Sequence, residues 1–421
     1  MKKSVFTVLG CLCLLCSSFA QEQQTGFNST EMAESANKTQ NEIIKKLQNF
    51  TFTGYFQTQY QWGEKDASLM IGTPNEKPEE SFSRIGVRRG LIKLTYEEGI
   101  GSGVFQLDIT EKGILIRDAH FNIKDPWTNM VTFRVGIFDR PFGNEIGYPA
   151  SLLESSERAI ITRTLFPAER DMGAMLILQP SKKSQLNFLK LEAGLFAGNG
   201  VHQETDSRKD FIGHLSGKKT LKNIEIGGGI SYYNGSIFQG SENVYKMKDN
   251  IFVLHDNADN KGKFTKREYL GFDAQLSLHT SIGTTQLRAE YLFGQQPGTA
   301  EKSVSPNSSV LPAHDTYIRD FSGGYVILTQ KLGRLPLSAV LKYDWYDPNT
   351  KISGNDIGLN YSEKGDISYH AFGFGMLWNL SASLHLHAFY EINKNETSEN
   401  LTGYTDDRKD NVFTMRMQYK F

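Results

Sequence analysis

The clearest pattern in the chain is the alternation of apolar and polar residues in its last eleven positions. One parity carries the apolar residues Phe413, Met415, Met417, Tyr419 and Phe421. The other parity carries the polar residues Thr414, Arg416, Gln418 and Lys420. Because successive side chains of a strand point to opposite faces, this pattern predicts a strand with one apolar and one polar face. A strand of about ten such residues is typical of a closed barrel that crosses a bilayer.

The same period of two begins at position 50, where aromatic residues alternate with Thr and Gln. Short runs of this kind, bounded by turn-forming residues, predict strands. We expect sixteen strands, near residues 50–62, 84–97, 103–110, 115–124, 129–138, 172–179, 187–197, 210–218, 223–234, 267–279, 283–294, 321–331, 335–346, 366–378, 382–393 and 411–421. The polar face of the first run and that of the last run would then meet where the barrel closes.

The links between these strands alternate in length. Short links such as 98–101 and 280–282 are rich in turn-forming residues. The long polar links are 63–83, 139–171, 235–266, 295–320, 347–365 and 394–410, and the short link around 111–113 is the main exception. Short turns at one end and long loops at the other are typical of outer-membrane barrels. The predicted fold class is therefore all-β, a transmembrane antiparallel β-barrel of about 16 strands with both chain ends on the periplasmic side.

The composition agrees with this fold. The mean hydropathy of −0.41 excludes a bundle of membrane-spanning helices but does not exclude a barrel. In a barrel half of each strand faces the lumen and is polar, so the mean stays low. The 46 basic and 47 acidic residues nearly balance, which gives no indication of a nucleic-acid partner. The expected partners are outer-membrane lipid and small solutes or anions.

The N-terminus carries the one long apolar run. Lys2 and Lys3, the apolar run 5–15 and the small residues before position 21 predict a secretory signal peptide over residues 1–20. All three cysteines lie inside it, and Gly10-Cys11 leaves lipidation as a less favoured alternative. We expect residues 21–49 to form a periplasmic extension, helical near its end, and residues 50–421 to form the barrel.

Four segments of the second to sixth strands resemble the phosphate-selective porin O and P family, in its Bacteroides-type form. They are Val87-Arg88-Arg89-Gly90-Leu91, Ile116-Arg117-Asp118-Ala119-His120, Gly136-Ile137-Phe138-Asp139-Arg140-Pro141-Phe142-Gly143 and Phe166-Pro167-Ala168-Glu169-Arg170-Asp171-Met172-Gly173. The later segment 341–350 is similar as well. The resemblance implies a trimeric, sixteen-stranded porin whose long third loop folds into the channel.

The long link 139–171 is the predicted functional segment, since loops of this length commonly carry function. Its arginines are candidates for the constriction and for contact with anions, together with one from the preceding strand; they are Arg134, Arg140, Arg158, Arg163 and Arg170. Guanidinium groups bind phosphate and carboxylate oxygens in pairs. Interspersed acidic residues, including Glu157 and Glu169, offer the alternative that these arginines only hold the loop folded.

Other candidates for the lumen lining are the basic residues on polar strand faces, Arg288, Lys342, Arg416 and Lys420. Acidic residues share those faces, so the lumen is not uniformly basic. The pair His385 and His387 shares one face of a strand and is more simply interpreted as lumen lining than as a metal site. The Asp- and Asn-rich stretch 256–262 lacks the order of a calcium loop.

No motif of a hydrolase is present, so we expect neither an enzyme nor a cofactor. The sequence favours a porin for passive diffusion of small solutes and ions, with anion or phosphate preference as a hypothesis and a homotrimer as the expected assembly. The alternative is a barrel that acts mainly as a binding or adhesion platform through loops 235–266 and 295–320.

Overall fold

The computed structural model describes residues 29–421, so the predicted signal peptide 1–20 and the start of the extension, 21–28, lie outside the described residues. A helix spans Ser29–Gln48, with two lysines in its last turn. Phe50 ends this compact unit, and Thr51–Phe421 form a second one. None of the helices in residues 29–421 is long and apolar enough to cross a membrane.

Strands dominate the second unit. The described residues contain eighteen: β1 (Phe50–Gly63), β2 (Phe82–Glu98), β3 (Gly101–Thr110), β4 (Gly113–Lys124), β5 (Val131–Asp139), β6 (Arg170–Leu178), β7 (Leu189–Phe196), β8 (Asp210–Leu221), β9 (Ile224–Phe238), β10 (Asn243–Lys248), β11 (Ile251–Asp256), β12 (Phe264–Thr280), β13 (Gly283–Gly298), β14 (Thr316–Lys331), β15 (Leu337–Asp347), β16 (Tyr369–Asn379), β17 (Leu384–Asn395) and β18 (Val412–Lys420). A short helix, Ile160–Leu165, lies between β5 and β6.

Sixteen of these strands form a closed antiparallel wall, which confirms the predicted fold class. Each pairs with its neighbours in order, with β9 joined to β12. The ring closes between β1 and β18, in register from Tyr55 opposite Lys420 to Gly63 opposite Val412. Every wall strand corresponds to one of the sixteen predicted runs, and the boundaries differ by a few residues.

The remaining two strands, β10 and β11, form a hairpin inside the predicted polar link 235–266. Asp249 and Asn250 connect them, both with positive φ (50° and 64°), as two-residue hairpin turns require. The hairpin also joins the wall, because β10 pairs in parallel with the start of β14, Val244 opposite Thr316. The sequence predicted only a long polar link at this position, and the structure adds a hairpin to it.

The wall has the two faces that the sequence predicts. On β18, Met417 is 50% exposed and Tyr419 55% exposed, whereas Thr414, Arg416 and Gln418 are buried. The outward side chains are therefore apolar and suited to lipid, and the inward ones are polar.

Two separate apolar clusters lie inside this frame. The lumen core consists of aromatic and aliphatic side chains from the wall and from the link between β5 and β6; examples are Phe138, Phe142, Ile161, Phe166, Tyr233, Tyr269 and Tyr325. The cap core lies among the long loops and consists of Tyr245, Phe252, Tyr317, Ile352, Ile357, Ile367, Leu401 and Tyr404. The lumen core is the one that positions the candidate site.

Candidate functional site in the barrel lumen

Residues 140–169, here called loop 3, connect β5 to β6. The strands on either side pair up to Asp139 and Arg170. Phe142 and Phe166, near its two ends, pack against each other with ring centroids 5.0 Å apart. Phe166 also contacts Tyr269 of the wall, with ring centroids 5.8 Å apart. These buried rings tie loop 3 to the wall strands β9 and β12, because large aromatic side chains contribute much of the burial energy of a core.

Glycines in the wall make room for this packing. A Cβ at Gly271 of β12 would lie 2.6 Å from the Phe142 ring, and a Cβ at Gly323 of β14 would lie 2.9 Å from Cδ1 of Ile161. Glycine inside a strand commonly marks such a close approach. At the turn into the lumen, Gly143 adopts φ 63°, a conformation that favours glycine.

Backbone amides of loop 3 donate to side chains of the wall. The N–H of Asn144 donates to Oε1 of Glu290 on β13 over 2.6 Å, and the N–H of Gly143 donates to Oγ of Ser231 on β9 over 2.8 Å. Tyr325 donates its hydroxyl hydrogen to the same Glu290 oxygen over 2.9 Å. Glu290 therefore satisfies backbone donors that would otherwise be buried without partners.

Glu157 links loop 3 to three further strands. The guanidinium of Arg88 on β2 binds both of its carboxylate oxygens, at 2.8 and 2.7 Å, and Arg416 on β18 donates to Oε1 over 3.0 Å. Lys342 on β15 donates to its backbone oxygen over 3.2 Å. Burial opposes ionisation of this carboxyl, but the charges of Arg88 and Arg416 outweigh it and lower the pKa of Glu157.

Glu169, at the end of loop 3, pairs with three arginines. Nε of Arg158 lies 2.6 Å from Oε1, and Arg117 and Arg170 both bind Oε2. Burial again opposes ionisation, yet the arginines hold the pKa of Glu169 well below its usual range. The backbone of Glu169 has positive φ (64°), so these contacts stabilise a conformation that non-glycine residues seldom adopt.

Arg117 reaches this cluster through an irregularity in β4. Gln106 of β3 pairs with Asp118, but the next residue, Leu107, pairs with Ile116, so β4 contains one extra residue. A bulge of this kind redirects a side chain. Arg117 and Asp118 are consequently both buried, although they are adjacent in sequence.

Loop 3 thus has hydrogen bonds or ion pairs with β2, β4, β9, β13, β15 and β18. These strands lie around the closed wall, and the contacting side chains belong to its inward face. Contacts with so many strands are satisfied together only by a segment that lies across the lumen.

The five candidate arginines lie in different surroundings. Arg140 pairs with Asp171 at 3.2 Å, Arg158 with Glu169, and Arg170 with Asp118 and Asp139 at 3.1 and 2.9 Å. Arg134 donates to Oδ1 of Asn122 over 2.7 Å. Three of the five are therefore engaged in ion pairs, as in the interpretation that they hold the loop folded.

Arg163 differs from the other four. It lies on the short helix and is exposed, and within residues 29–421 no ion pair or side-chain hydrogen bond engages it. Contact of any of the five arginines with a solute stays a prediction.

Among the other candidates for the lumen lining, three form ion pairs and one does not within residues 29–421. Arg288 pairs with Glu154, Lys342 with Asp344 at 2.6 Å, and Arg416 with Glu157. Lys420 faces the same side of the wall as buried Tyr55, its partner in the ladder, and among the described residues its ammonium has no partner.

Sequence reasoning missed Lys93. It lies opposite buried Gln106 in the ladder between β2 and β3, which places it on the inward face. Within the part of the chain that the structure describes, it has no ion pair. Neither parity is cleanly apolar between Arg84 and Lys93, so the sequence pattern gave no assignment of faces there. Its opposite neighbour, Gln106, was the available signal.

Two cavities remain inside the wall near its short-turn end. One, of about 320 Å³, is lined by Lys93, Arg117, Asp118, Arg170 and Lys420 among others. The second, of about 350 Å³, is lined by amide, hydroxyl and imidazole side chains of β1 and β13–β18. Tyr148 and Ser151 of loop 3 line both cavities. Loop 3 therefore separates two polar spaces in the lumen.

The two histidines line the second cavity. Nδ1 of His385 lies 2.6 Å from Oδ1 of Asn379, and His387 is buried. Residues 29–421 contain no cluster of three or more side chains suited to a metal ion. In the stretch 256–262, a short 3₁₀ turn spans Ala258–Asn260 and is capped by Asn257.

No family model matches the chain, and no curated protein matches it in sequence. Several solved structures share its fold. OprB of Pseudomonas putida aligns with a TM-score of 0.57 at 8% identity, covering 91% of this chain and 97% of its own. The outer membrane channel DcaP of Acinetobacter baumannii aligns at 0.53 and 11%, covering 88% and 97%. The trimer form of OmpT, an outer membrane protein of Vibrio cholerae, aligns at 0.51 and 11%, covering 88% and 99%.

At these identities the likeness concerns the fold. Together with the closed wall of sixteen strands and its apolar outer face, it defines a porin-like β-barrel of the bacterial outer membrane.

Proposed function

We propose that this protein is an outer-membrane channel for passive diffusion of small solutes and ions, narrowed by loop 3. The observation that carries the proposal is the pair of polar cavities that flank loop 3 inside the closed wall. Sixteen-stranded barrels are wide enough to leave an aqueous lumen. The likeness to DcaP, which is described as an outer membrane channel, supports the same class of function.

We further propose that the channel prefers anions, phosphate among them. The support is three candidate cations, Lys93, Arg163 and Lys420, which have neither an ion pair nor a side-chain hydrogen bond within residues 29–421. Most other basic groups of the lumen are neutralised by carboxylates, and neutralised charges select little. The preference therefore rests on these three residues. The resemblance to phosphate-selective porins points the same way and stays a prediction.

The test is the reversal potential of the purified full-length protein in planar bilayers under a KCl gradient. We expect a potential that favours Cl⁻, and a smaller one for the double variant Lys93→Gln/Lys420→Gln. A unit charge about 7 Å from a permeating ion in water-like surroundings changes its local concentration about threefold. A potential that favours K⁺ in the unaltered protein would contradict anion preference and leave the channel function standing.

We propose a homotrimer as the assembly, in line with the resemblance and with the trimer form of OmpT. Native mass spectrometry of the detergent-solubilised protein measures this directly. A monomer mass under gentle conditions would contradict it.

The alternative, a platform that binds partners through its long loops, has one observation in its favour. The cap core gives these loops a packed interior of their own, with Tyr245 stacked on Tyr317 at 4.2 Å between ring centroids. Liposome swelling separates the two functions, because a channel admits small neutral solutes at rates set by their size. Liposomes that fail to swell would favour the platform.

A further inference from the structure

The two cavities beside loop 3 differ in charge, although they share Tyr148 and Ser151 as a common wall. Five cationic side chains line the first cavity, here called the cationic cavity, against two carboxylates: Lys93, Arg117, Arg158, Arg170 and Lys420, against Asp118 and Asp139. The second cavity, here called the amide cavity, has one side chain of each charge, Arg416 and Glu154. Its formal charge is therefore zero.

Both charged side chains that line the amide cavity already pair with other groups of the protein. Glu154 pairs with Arg288 and accepts a hydrogen bond from the hydroxyl of Tyr148 over 2.9 Å. Arg416 binds Glu157 and donates from Nε to Oε1 of Gln59 over 2.9 Å. What the cavity offers to a solute is consequently neutral.

The remaining lining consists of neutral hydrogen-bonding groups beside apolar ones. Gln286, Thr329 and Ser338 lie on the adjacent strands β13, β14 and β15, and among the described residues their side chains have no hydrogen-bond partner. Gln286 and Thr329 are directly opposite each other in the ladder. Apolar surface comes from leucines of loop 3 and of β16, namely Leu152, Leu153 and Leu377.

A buried and unpaired polar atom also lines this cavity. His387 is only 5% exposed, and its Nε2 has no hydrogen-bond partner in the described structure. Buried polar atoms without a partner are rare in folded proteins, since each costs desolvation energy. Its position in the lining of the cavity makes this atom available to a hydrogen-bonding molecule in that space.

We propose that the amide cavity binds neutral, hydroxyl-rich solutes, that is sugars or polyols, on a route separate from the cationic cavity. This inference rests on the proposed channel function, and it adds a second class of solute to it. A hydroxyl both donates and accepts, as amides and hydroxyls of the lining do, whereas the C–H surface of such a molecule suits the leucines.

The size and the lack of free charge agree with this class. About 350 Å³ is within the range of about 300–1,000 Å³ that small-molecule sites occupy. An ion entering the amide cavity would lose hydration without meeting an unpaired counter-charge, which is unfavourable. The same ion would meet Lys93 and Lys420 in the neighbouring cavity.

The probe is sucrose, used with the full-length protein in two measurements. The first is the sucrose concentration that half-blocks KCl current in planar bilayers, with sucrose added to either side. The second is saturation-transfer NMR of sucrose with the detergent-solubilised protein, which reports binding whether or not the protein conducts. The test variant is Gln286→Leu/Thr329→Val, and the matched control is Lys93→Gln in the cationic cavity.

We expect saturation transfer and block with the unaltered protein, and a half-blocking concentration about tenfold higher in the double variant, which has lost two hydrogen-bonding groups. Lys93→Gln should leave the block unchanged and alter only the reversal potential. KCl conduction without sucrose binding, or equal block in all three proteins, would overturn the inference and leave the channel standing. Sucrose binding that the double variant weakens, in a protein that does not conduct, would support the site and contradict the channel.

Discussion

Arg163 and Arg140 lie on the same loop, but their surroundings differ. Arg140 is 3% exposed and pairs with Asp171, whose side chain is fully buried. Arg163 is exposed on the short helix. A charge that faces water and has no partner acts on passing ions, whereas a buried pair acts on the fold.

We therefore expect Arg163→Ala to lower the Cl⁻ over K⁺ permeability ratio about twofold to threefold, the effect of one unit charge near the path. The yield of assembled protein should stay normal, because no ion pair or side-chain hydrogen bond of Arg163 within residues 29–421 is lost. Reversal potentials under a KCl gradient measure the ratio. An unchanged ratio would show that Arg163 does not face the route of the ions.

Arg140→Ala is the comparison. This substitution leaves the buried carboxylate of Asp171 without its cation. Removing one partner of a buried ion pair lowers the stability of the fold by about 3–5 kcal/mol. We expect a lower temperature of heat-induced unfolding on unboiled gels. A variant as heat-resistant as the parent would contradict the structural role assigned to this pair.

The pairing of these side chains was not open to prediction from sequence, although their faces were. Parity alone assigned Arg288 and Arg416 to the lumen, and both are buried there. Their partners lie in loop 3, more than a hundred positions away in the chain. The local sequence pattern contains no information on which distant carboxylate pairs with a given cation. Cations that form ion pairs therefore could not be distinguished in the sequence from cations that do not.

At the scale of elements, the period of two in β18 determines which substitutions the wall tolerates. Met417→Arg places a charge on the lipid face, at a cost of roughly 2–4 kcal/mol near mid-bilayer. We expect little assembled barrel from this variant. Heat-modifiable migration on gels after purification from outer membranes measures it.

The matched variant is Gln418→Arg, one residue further on and on the opposite face. Gln418 is 6% exposed and bonds Gln57 over 2.7 Å and the backbone oxygen of Ser151 over 3.1 Å. Assembly should continue, with an altered conductance because loop 3 is displaced at Ser151. Equal assembly of the two variants would show that the faces of β18 are wrongly assigned.

Loop 3 packs closely against the wall at Gly271, and a side chain added at that position tests this packing. A Cβ at Gly271 would lie 2.6 Å from the Phe142 ring, and its three nearest neighbours would all be side-chain atoms. Gly271→Ala should therefore push loop 3 from its seat, an overpacking effect of about 1–3 kcal/mol. We expect a changed single-channel conductance and a more protease-sensitive loop.

The second variant in this pair is Gly271→Ala/Phe142→Leu, in which the smaller side chain leaves room for the added methyl group. It should restore conductance and protease resistance towards those of Phe142→Leu alone. If the double variant behaved like Gly271→Ala, the contact with Phe142 would not be what seats the loop.

Among the elements, the wall was predictable and the hairpin was not. Each wall strand has lipid on one side and water or loop 3 on the other, so its composition alternates strongly. The strands β10 and β11 pack against other loops. β10 alternates over only six residues, with Tyr245 and Met247 opposed to Lys246 and Lys248, and β11 begins with four consecutive apolar residues, 251–254, so neither run stood out inside the long link. Asp249-Asn250 is typical of a two-residue hairpin turn, but the polar composition of the surrounding stretch indicated only a long link.

On the scale of the whole molecule, the lumen core and the cap core are distinct, so damage to one should spare the other. Arg319 and Asp366 form a fully buried pair beside the cap core, with Nε and Oδ1 2.8 Å apart. Asn349 donates to the same carboxylate over 2.7 Å. This network connects the start of β14 to the loop between β15 and β16.

We expect Asp366→Ala to open the long-loop end, because it leaves Arg319 buried without its partner at a cost of about 3–5 kcal/mol. Limited proteolysis with mass spectrometry should find new cleavage between residues 348 and 368, in a barrel that still resists heat. The control is Asp356→Ala in the same loop, whose side chain is exposed. Loss of the whole barrel in Asp366→Ala would show that the two cores fold as one.

The ion pairs of Glu157 also bear on the register in which the wall closes. Arg88 and Arg416 belong to the two strands that flank β1, the strand at which the ring is closed. If β1 paired with β18 in a shifted register, one of the two arginines would lie too far from the carboxylate of Glu157 to bind it. A shift of one residue would also place the inward side chains of β1 on the outward face. The carboxylate of Glu157 therefore couples the position of loop 3 to the register in which β1 pairs with its two neighbouring strands.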